Sequence, residues 1–357
     1  MDEKYNRIAG SLIGGAIGDA LGYQIEFKKG IKDKEVTRFN DKGIISDDTQ
    51  MTLFTANALL WRETRGACRG IAMVPADAIY LAYLDWLDTQ DGTKRNETPI
   101  TWIKDIPELN ICRAPGMTCM SSLSSGKKGT IEEPINDSKG CGTVMRIAPI
   151  GLYAKDSKKA GEVAAYASAL THGHPLGIIP SYVLASMINR LLNDNTDIPT
   201  SLNKAIEELK EWNKYDIQYV NSFIELVNKA IELVNQNMND IEAIKKIGEG
   251  WVADEAVAIA LYACLKYQNS FEDAIVCAVN HDGDSDSTGA IAGNIIGTYL
   301  GLNNIPDYYV NNVELNDVIL EIAHDLSIDV PISEYSPNKD HEWEDKYIYC
   351  KKKTNIN

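Results

Sequence analysis

Glycine recurs every four residues in two remote parts of the chain, at Gly10, Gly14, Gly18 and Gly22 and again at Gly289, Gly293, Gly297 and Gly301. In a helix that spacing lies along one face, where each glycine gives up about 1 kcal/mol of helix propensity relative to alanine. The compensation is close approach of a neighbouring backbone, because no Cβ stands in the way. Both segments are therefore expected to be tightly packed helices in the middle of a bundle, against each other or against a shared neighbour. A membrane-dimer reading of the first stripe fails, because Asp19 falls inside it and the apolar run before it is only about ten residues.

Most of the remaining sequence repeats apolar residues at helical spacing, and alanine is abundant where strands would favour valine and threonine. The pattern predicts an all-α protein with helices over residues 4–23, 48–64, 75–88, 142–154, 158–171, 175–193, 200–213, 217–236, 251–267, 270–280, 286–300 and 314–327. Pro75, Pro175 and Pro199 fall at helix starts, where a missing N–H costs nothing. Residues 88–139, rich in Pro, Gly, Ser and Lys, are expected to run over the surface as a long excursion of the kind that closes over sites.

The chain has 357 residues, of which 44% are hydrophobic, enough for a large core. Its 35 Lys and Arg against 51 Asp and Glu leave a formal charge of -16. That balance argues against a nucleic-acid partner or an anionic membrane surface, so an anionic substrate would need a local solution such as metal ions or helix N-termini. The seven cysteines form no Cys-x-x-Cys pair, and an odd number cannot all be joined internally, which favours a reducing cytoplasm. The N-terminus has no basic region leading into a signal peptide, and no uncharged apolar run reaches membrane-spanning length.

Two acidic and hydroxyl clusters stand at the heads of apolar helical segments: Ser46-Asp47-Asp48-Thr49, and Asp284-Ser285-Asp286-Ser287-Thr288 within the run that starts at His281. Each is a half-site of hard oxygen donors, and together they suggest a centre for Mg2+, Ca2+ or Mn2+, whereas zinc would recruit His or Cys. The competing reading is that each Asp caps its helix, where a carboxylate suits the positive end of the dipole. Asp282, Asp284 and Asp286 have the odd spacing of an EF-hand loop, but Ser287 and Gly293 occupy the positions that need Gly and Glu. No Walker-type phosphate loop or dinucleotide-binding glycine pattern occurs either.

Three further candidates remain. Gly140-Cys141-Gly142-Thr143 opens an apolar segment and could present backbone N–H groups to a phosphate, or be a plain turn into a core helix. Cys141 has no assignable basic partner and reads as a buried thiol rather than a nucleophile. His172, in Thr171-His172-Gly173-His174-Pro175, reads either as a ring contacting substrate or as a histidine satisfied at a turn. Glu26 follows the first striped helix where it should emerge from the bundle.

Taken in order, Gly18-Asp19-Ala20-Leu21-Gly22 with Glu26, Ser46-Asp47-Asp48-Thr49, Gly140-Cys141-Gly142 through Met145-Arg146, Thr171 to Pro175 and Gly283 to Thr288 resemble the motifs of the ADP-ribosylglycohydrolase family over about residues 5–302. The resemblance implies a compact single-domain orthogonal helical bundle holding two Mg2+, with Mn2+ as the alternative. Carried over by position, Ser46, Asp47, Asp48, Asp284, Asp286 and Ser287 would be the metal ligands. Glu26 and Asp48 would handle the catalytic proton, Glu26 from a mobile segment beside the substrate. Gly140, Cys141, Gly142, Thr143 and His172 would line the substrate cleft. The implied activity is metal-dependent hydrolysis of ADP-ribosylated protein side chains, ADP-ribosylarginine first, releasing ADP-ribose. The alternatives are another ADP-ribose conjugate, such as ADP-ribosylserine, a nucleoside derivative or O-acetyl-ADP-ribose, and a non-catalytic binder or structural protein. Asp282 is expected to add charge beside the ligands, and residues 303–357 to pack on the same domain as a cap or an oligomer contact.

Overall fold

The computed structural model describes residues 2–28, 35–236, 238–335 and 339–351. Among them are sixteen α-helices and no β-strand, only two isolated bridges, Gly43 with Val313 and Gly140 with Val252. The all-α expectation therefore holds, in a single helical domain.

The two glycine stripes meet each other. Helices Glu3–Tyr23 and Ser285–Leu300 run antiparallel, with Gly10 opposite Gly297, Gly14 opposite Gly293 and Gly18 opposite Gly289. A Cβ added at any of these glycines would fall inside the van der Waals radius of the facing carbonyl oxygen. The stripes are offset by one rung, so Gly22 faces the backbone of Ser285 and Gly301 faces the Asn6 side chain. Ser11 and Asn294 lock the register reciprocally: Ser11 Oγ donates to the Asn294 carbonyl at 3.1 Å, and Asn294 Nδ2 donates to the Ser11 carbonyl at 2.9 Å. Almost all of both helices is buried, so the lost helix propensity is offset by backbone-to-backbone packing in the middle of the molecule.

The predicted helices are present with shifts of a few residues at their ends, and Pro175–Asn193 matches its expected range. One prediction fails: residues 142–154 are not one helix. A 3-10 turn, Cys141–Thr143, is followed by turns and a short helix, Ala148–Tyr153. Pro149 sits in the first turn of that short helix, where its missing N–H costs nothing, but it supplies no N–H with which a preceding turn could continue into the helix. The segment 88–139 departs from its expected surface course. It contains a helix, Met117–Ser124, and buries Trp102, Ile103, Leu109, Cys119 and Leu123 in the core. Helices Met117–Ser124, Asp240–Ile247, Asp307–Asn312 and His341–Tyr347, each of two turns or so, fall outside the expected ranges.

After residue 302 the chain stays on the body. Trp343 Nε1 donates to Thr64 Oγ1 at 2.8 Å, and the Tyr347 hydroxyl donates to Asp325 at 2.6 Å. Residues 336–338 and 352–357 of this expected extension lie outside the described residues. One described helix, Pro175–Asn193, is long and apolar enough to cross a membrane, and 89% of its apolar window is buried inside the protein.

Candidate metal centre

The register of the glycine ladder brings the two acidic helix heads together. Helix Asp47–Arg69 starts at Ser46, whose Oγ accepts from Asp48 N–H at 3.2 Å, and helix Ser285–Leu300 starts at Asp284, whose Oδ1 accepts from Ser287 N–H. The capping reading holds in part, since Ser46 and Asp284 do cap their helices. Capping does not use Asp47 or Asp48, whereas Asp286 Oδ1 shares the Ser287 N–H at 2.9 Å. Asp47, Asp48, Asp284 and Asp286 are each at most 4% exposed, and Asp286 acts on Asp47, Asp48 and Asp284 as a destabilising neighbour charge. Oxygens of Glu26, Asp284 and Asp286 all lie within 4.8 Å of one another.

Such a cluster is costly without a compensating cation, because burial and mutual repulsion both disfavour the charged forms. Burial first, then Asp286 and Asp284, raises Glu26 to about 10, and burial followed by Asp286 raises Asp19 to about 7. Asp47, Asp48 and Asp284 are likewise pushed well above the carboxylate range, mainly by burial. Glu26 Oε2 and Asp48 Oδ2 are buried with no hydrogen-bond partner. Orphaned carboxylate oxygens converging in an all-oxygen set fit a hard divalent cation such as Mg2+ or Mn2+.

Several residues that hold the cluster had no role assigned from the sequence. Asp19, fully buried in the first striped helix, accepts from the N–H groups of Ser46 and Thr49 at 3.0 and 3.1 Å and from the Thr49 hydroxyl. It fixes the start of helix Asp47–Arg69 to the ladder. Gly116, on the segment expected to close over the site, donates its N–H to Asp47 Oδ2 at 3.1 Å. The turn around Gly250 joins the remaining pieces: the Glu249 carbonyl accepts from Asp284 N–H at 2.8 Å, and the Trp251 carbonyl accepts from Cys141 N–H at 3.2 Å.

The other predicted residues fall around this cluster in distinct ways. Cys141 is half-buried, with Sγ 2.7 Å from Asp284 Oδ2, and its N–H is committed to Trp251 rather than open to a phosphate. Gly142 and Thr143 are buried. His172 lies beneath the Gly140 and Gly142 turn, 1% exposed, so the structure places it under the turn and favours the reading of a histidine satisfied there. A Cβ at Gly142 would lie 2.9 Å from Cys119 Sγ and 3.3 Å from the His172 ring, which is why glycine is required. Buried Arg146 fixes that ring, since it donates to Thr171 Oγ1 at 2.7 Å while Thr171 Oγ1 pairs with His172 Nδ1 at 2.8 Å. Burial and then the Arg146 charge lower His172 to about 3, so the imidazole is neutral. Asp282 departs from its expected place: it is exposed and lines a separate cavity of about 230 Å³ with Asp240 and His281. A larger cavity, of about 750 Å³ and lined by Lys42, Trp102, Asn316 and Lys351 among others, contains none of the cluster's carboxylates.

Fold and cluster together define an all-helical protein with an acidic centre set between two helix heads. The profile of the ADP-ribosylglycohydrolase family matches residues 1–334, and the chain belongs to that family. It is 23% identical over 325 residues to the ADP-ribosyl-[dinitrogen reductase] glycohydrolase of Rhodospirillum rubrum, covering 87% of this chain and 91% of that protein. It is 24% identical over 353 residues to ADP-ribosylarginine hydrolase Tri1 of Pseudomonas putida strain GB-1, covering 91% of this chain and 79% of the relative. A solved chain from an ADP-ribosylglycohydrolase-related protein complex superposes with a TM-score of 0.65 at 22% identity, over 92% of this chain and 99% of its own, which supports the same fold.

Proposed function

We propose that this chain is a metal-dependent ADP-ribosyl-acceptor hydrolase that cleaves the bond between C1'' of the distal ribose and an arginine nitrogen, releasing ADP-ribose. The observation that carries the reading is the gathering of Glu26, Asp284 and Asp286 within 4.8 Å of one another, in electrostatic reach of Asp48, with Glu26 Oε2 and Asp48 Oδ2 buried and without a hydrogen-bond partner. Asp47, Asp48, Asp284 and Asp286, with the Ser46 and Ser287 hydroxyls, would hold two Mg2+ or Mn2+. Bound there, the cations would supply charge neutralisation, a grip on ribose hydroxyls and a more acidic water.

The chain's own groups account for the rest of the chemistry. Cleavage builds positive charge at C1'', and the concentrated carboxylates favour it. Glu26, whose carboxylate lies within 4.8 Å of those of Asp284 and Asp286, is the group to give a proton to the departing nitrogen. Asp48, with Oδ2 unengaged, is the group to orient or deprotonate the attacking water. General acid or base assistance of this kind is worth about 10² to 10⁴ in rate. The half-buried edge of the turn, Gly140 and Cys141, would flank the diphosphate by shape, since both N–H groups are already bonded, to Ser138 and Trp251. Large exposed apolar side chains stand beside site residues: Phe27 next to Glu26, Met117 next to Gly116, and Trp251 on the backbone that holds Cys141. They suit a substrate carrying an aromatic base. All seven cysteines are free, which suits a reducing compartment such as the cytoplasm.

The experiment is incubation with arginine-linked and serine-linked ADP-ribosyl peptides, with and without a chelator. Release of ADP-ribose from the arginine peptide, lost with chelator and in Asp284→Ala and Asp47→Ala, supports the reading. Release from the serine peptide alone moves the assignment to that linkage, binding without release makes the chain an ADP-ribose binder, and normal turnover in Asp284→Ala removes the metal role.

A further inference from the structure

The head of helix Asp47–Arg69 is gripped on one side by Asp19 and on the other by a buried ion pair from distant parts of the chain. Arg113 and Glu314 are 7% and 4% exposed. They meet through two contacts, Nη1 to Oε2 and Nη2 to Oε1, the second at 3.1 Å. Both partners also hold a single peptide residue. Arg113 Nη1 donates to the Ile45 carbonyl at 3.0 Å, and the Ile45 N–H donates to Glu314 Oε2 at 3.4 Å. The backbone beside Glu314 adds a short bridge, with Gly43 N–H on the Asn312 carbonyl and Glu314 N–H on the Gly43 carbonyl, both at 2.9 Å.

We infer that Arg113 and Glu314 are positioning residues for the cation centre: by fixing both polar groups of Ile45 they set where Ser46, Asp47 and Asp48 stand, and so set the affinity for the divalent ion. Ile45 is fully buried and lies in no helix, so its N–H and C=O have no ladder to satisfy them if the pair is removed. Ser46 follows directly, and its N–H must reach Asp19 for the helix to start where it does. A turn of the Ile45 peptide therefore shifts the carboxylates one and two residues beyond Ser46. A clamp that served stability alone would be replaceable, because a buried ion pair exchanged for apolar groups of similar volume is often neutral or stabilising. A clamp that positions ligands is not replaceable in that way, since methyl groups cannot hold a peptide.

This inference rests on the metal reading above, and its test reads Mn2+ binding with no substrate present. The free Mn2+ signal is titrated by electron paramagnetic resonance against wild type and the double variant Arg113→Met with Glu314→Leu, beside thermal melts of both. The expected result is a folded double variant that melts below wild type, because the buried Ile45 N–H and C=O lose their partners, and whose Mn2+ dissociation constant, read at a temperature where both proteins are folded, rises about 10- to 100-fold, the usual effect of losing groups that orient metal ligands. An unchanged dissociation constant in a folded double variant overturns the positioning role. Should that variant fail to fold, Arg113→Lys and Glu314→Gln take its place. Each keeps volume and part of the clamp, and an intermediate loss of affinity without a matching drop in melting temperature is expected, whereas wild-type affinity in both overturns the inference. If wild type takes up Mn2+ but releases ADP-ribose from nothing, the proposed hydrolysis fails while weakened binding in the variants still supports the clamp. If wild type takes up no Mn2+, the metal reading falls and this inference with it.

Discussion

The thiol of Cys141 points at Asp284, with Sγ 2.7 Å from Oδ2. Burial first, and then the Asp284 charge, push that thiol well above its ordinary range. Only a thiolate is an effective nucleophile, so the half-buried Cys141 is expected to resist alkylation although it stands at the site. Under limiting iodoacetamide at mildly alkaline pH, Cys141 in the cation-free protein should label about tenfold or more slowly than exposed Cys112. Peptide mapping by mass spectrometry measures both rates, and equal labelling contradicts the assignment.

Carboxylates raised by burial make the cation-free fold sensitive to alkali. Asp19 rises from 3.8 to about 7 and Glu26 from 4.5 to about 10. For a group raised on folding, the stabilisation is fully present below the unfolded value and is lost as pH climbs through the folded one. In chelator, the melting temperature should therefore fall as pH climbs from about 4 towards 7 and beyond. A divalent ion at about 100 times its dissociation constant should restore about 2.7 kcal/mol per site near neutral pH. Thermal melts with chelator and with Mn2+ across that range check this, and a chelated protein whose melting temperature stays level or rises would contradict it.

Asp19→Asn keeps the shape of the side chain and removes half of its accepting capacity. Its carboxylate takes hydrogen bonds from Ser46 N–H, Thr49 N–H and the Thr49 hydroxyl, whereas an amide offers one oxygen and turns two donors towards these donors. The variant should lose about 1–3 kcal/mol of stability and bind Mn2+ about 10- to 100-fold more weakly. Denaturant unfolding and the Mn2+ titration separate the two effects. Wild-type values in both would mean that Asp19 is not what anchors the second helix.

Gly10→Ala and Gly22→Ala both drive a Cβ into a facing backbone, at Gly297 and at Ser285 respectively. Each should cost about 1–3 kcal/mol or more through overpacking, beyond the helix propensity that alanine regains. Their effects on the cations should differ. The Gly22 change displaces Ser285 and Asp286 and should weaken Mn2+ binding strongly, while the Gly10 change lies at the far end of the ladder and should leave it near wild type. Equal losses of affinity at equal stability would show that the ladder does not set the ligand geometry.

The parts of this molecule that were legible in the sequence are those written in local chemistry. Fourfold glycine spacing announced the central helix pair, and hydroxyl and carboxylate residues before apolar runs announced both helix heads. Asp19 was harder to read, because a carboxylate inside a helix has no cap signal and its partner Ser46 stands 27 residues away. Arg113 and Glu314, 201 residues apart, form no pattern at all until the chain has folded. Residues 88–139 misled through composition: their polar and glycine-rich character hid Trp102 and Leu109, which the core fully buries. Pro149 was the overlooked punctuation that divides residues 142–154.

The ladder also fixes when the acidic cluster can form. Ser11 and Asn294, which bond across it, are 283 residues apart. During synthesis the first glycine face must wait, its carbonyls without their lining, until the helix Ser285–Leu300 has left the ribosome. The glutamate beyond that helix and the aspartates at the head of its mate then arrive as neighbours at one moment, so a nascent chain that stops short of residue 284 holds only part of the cluster.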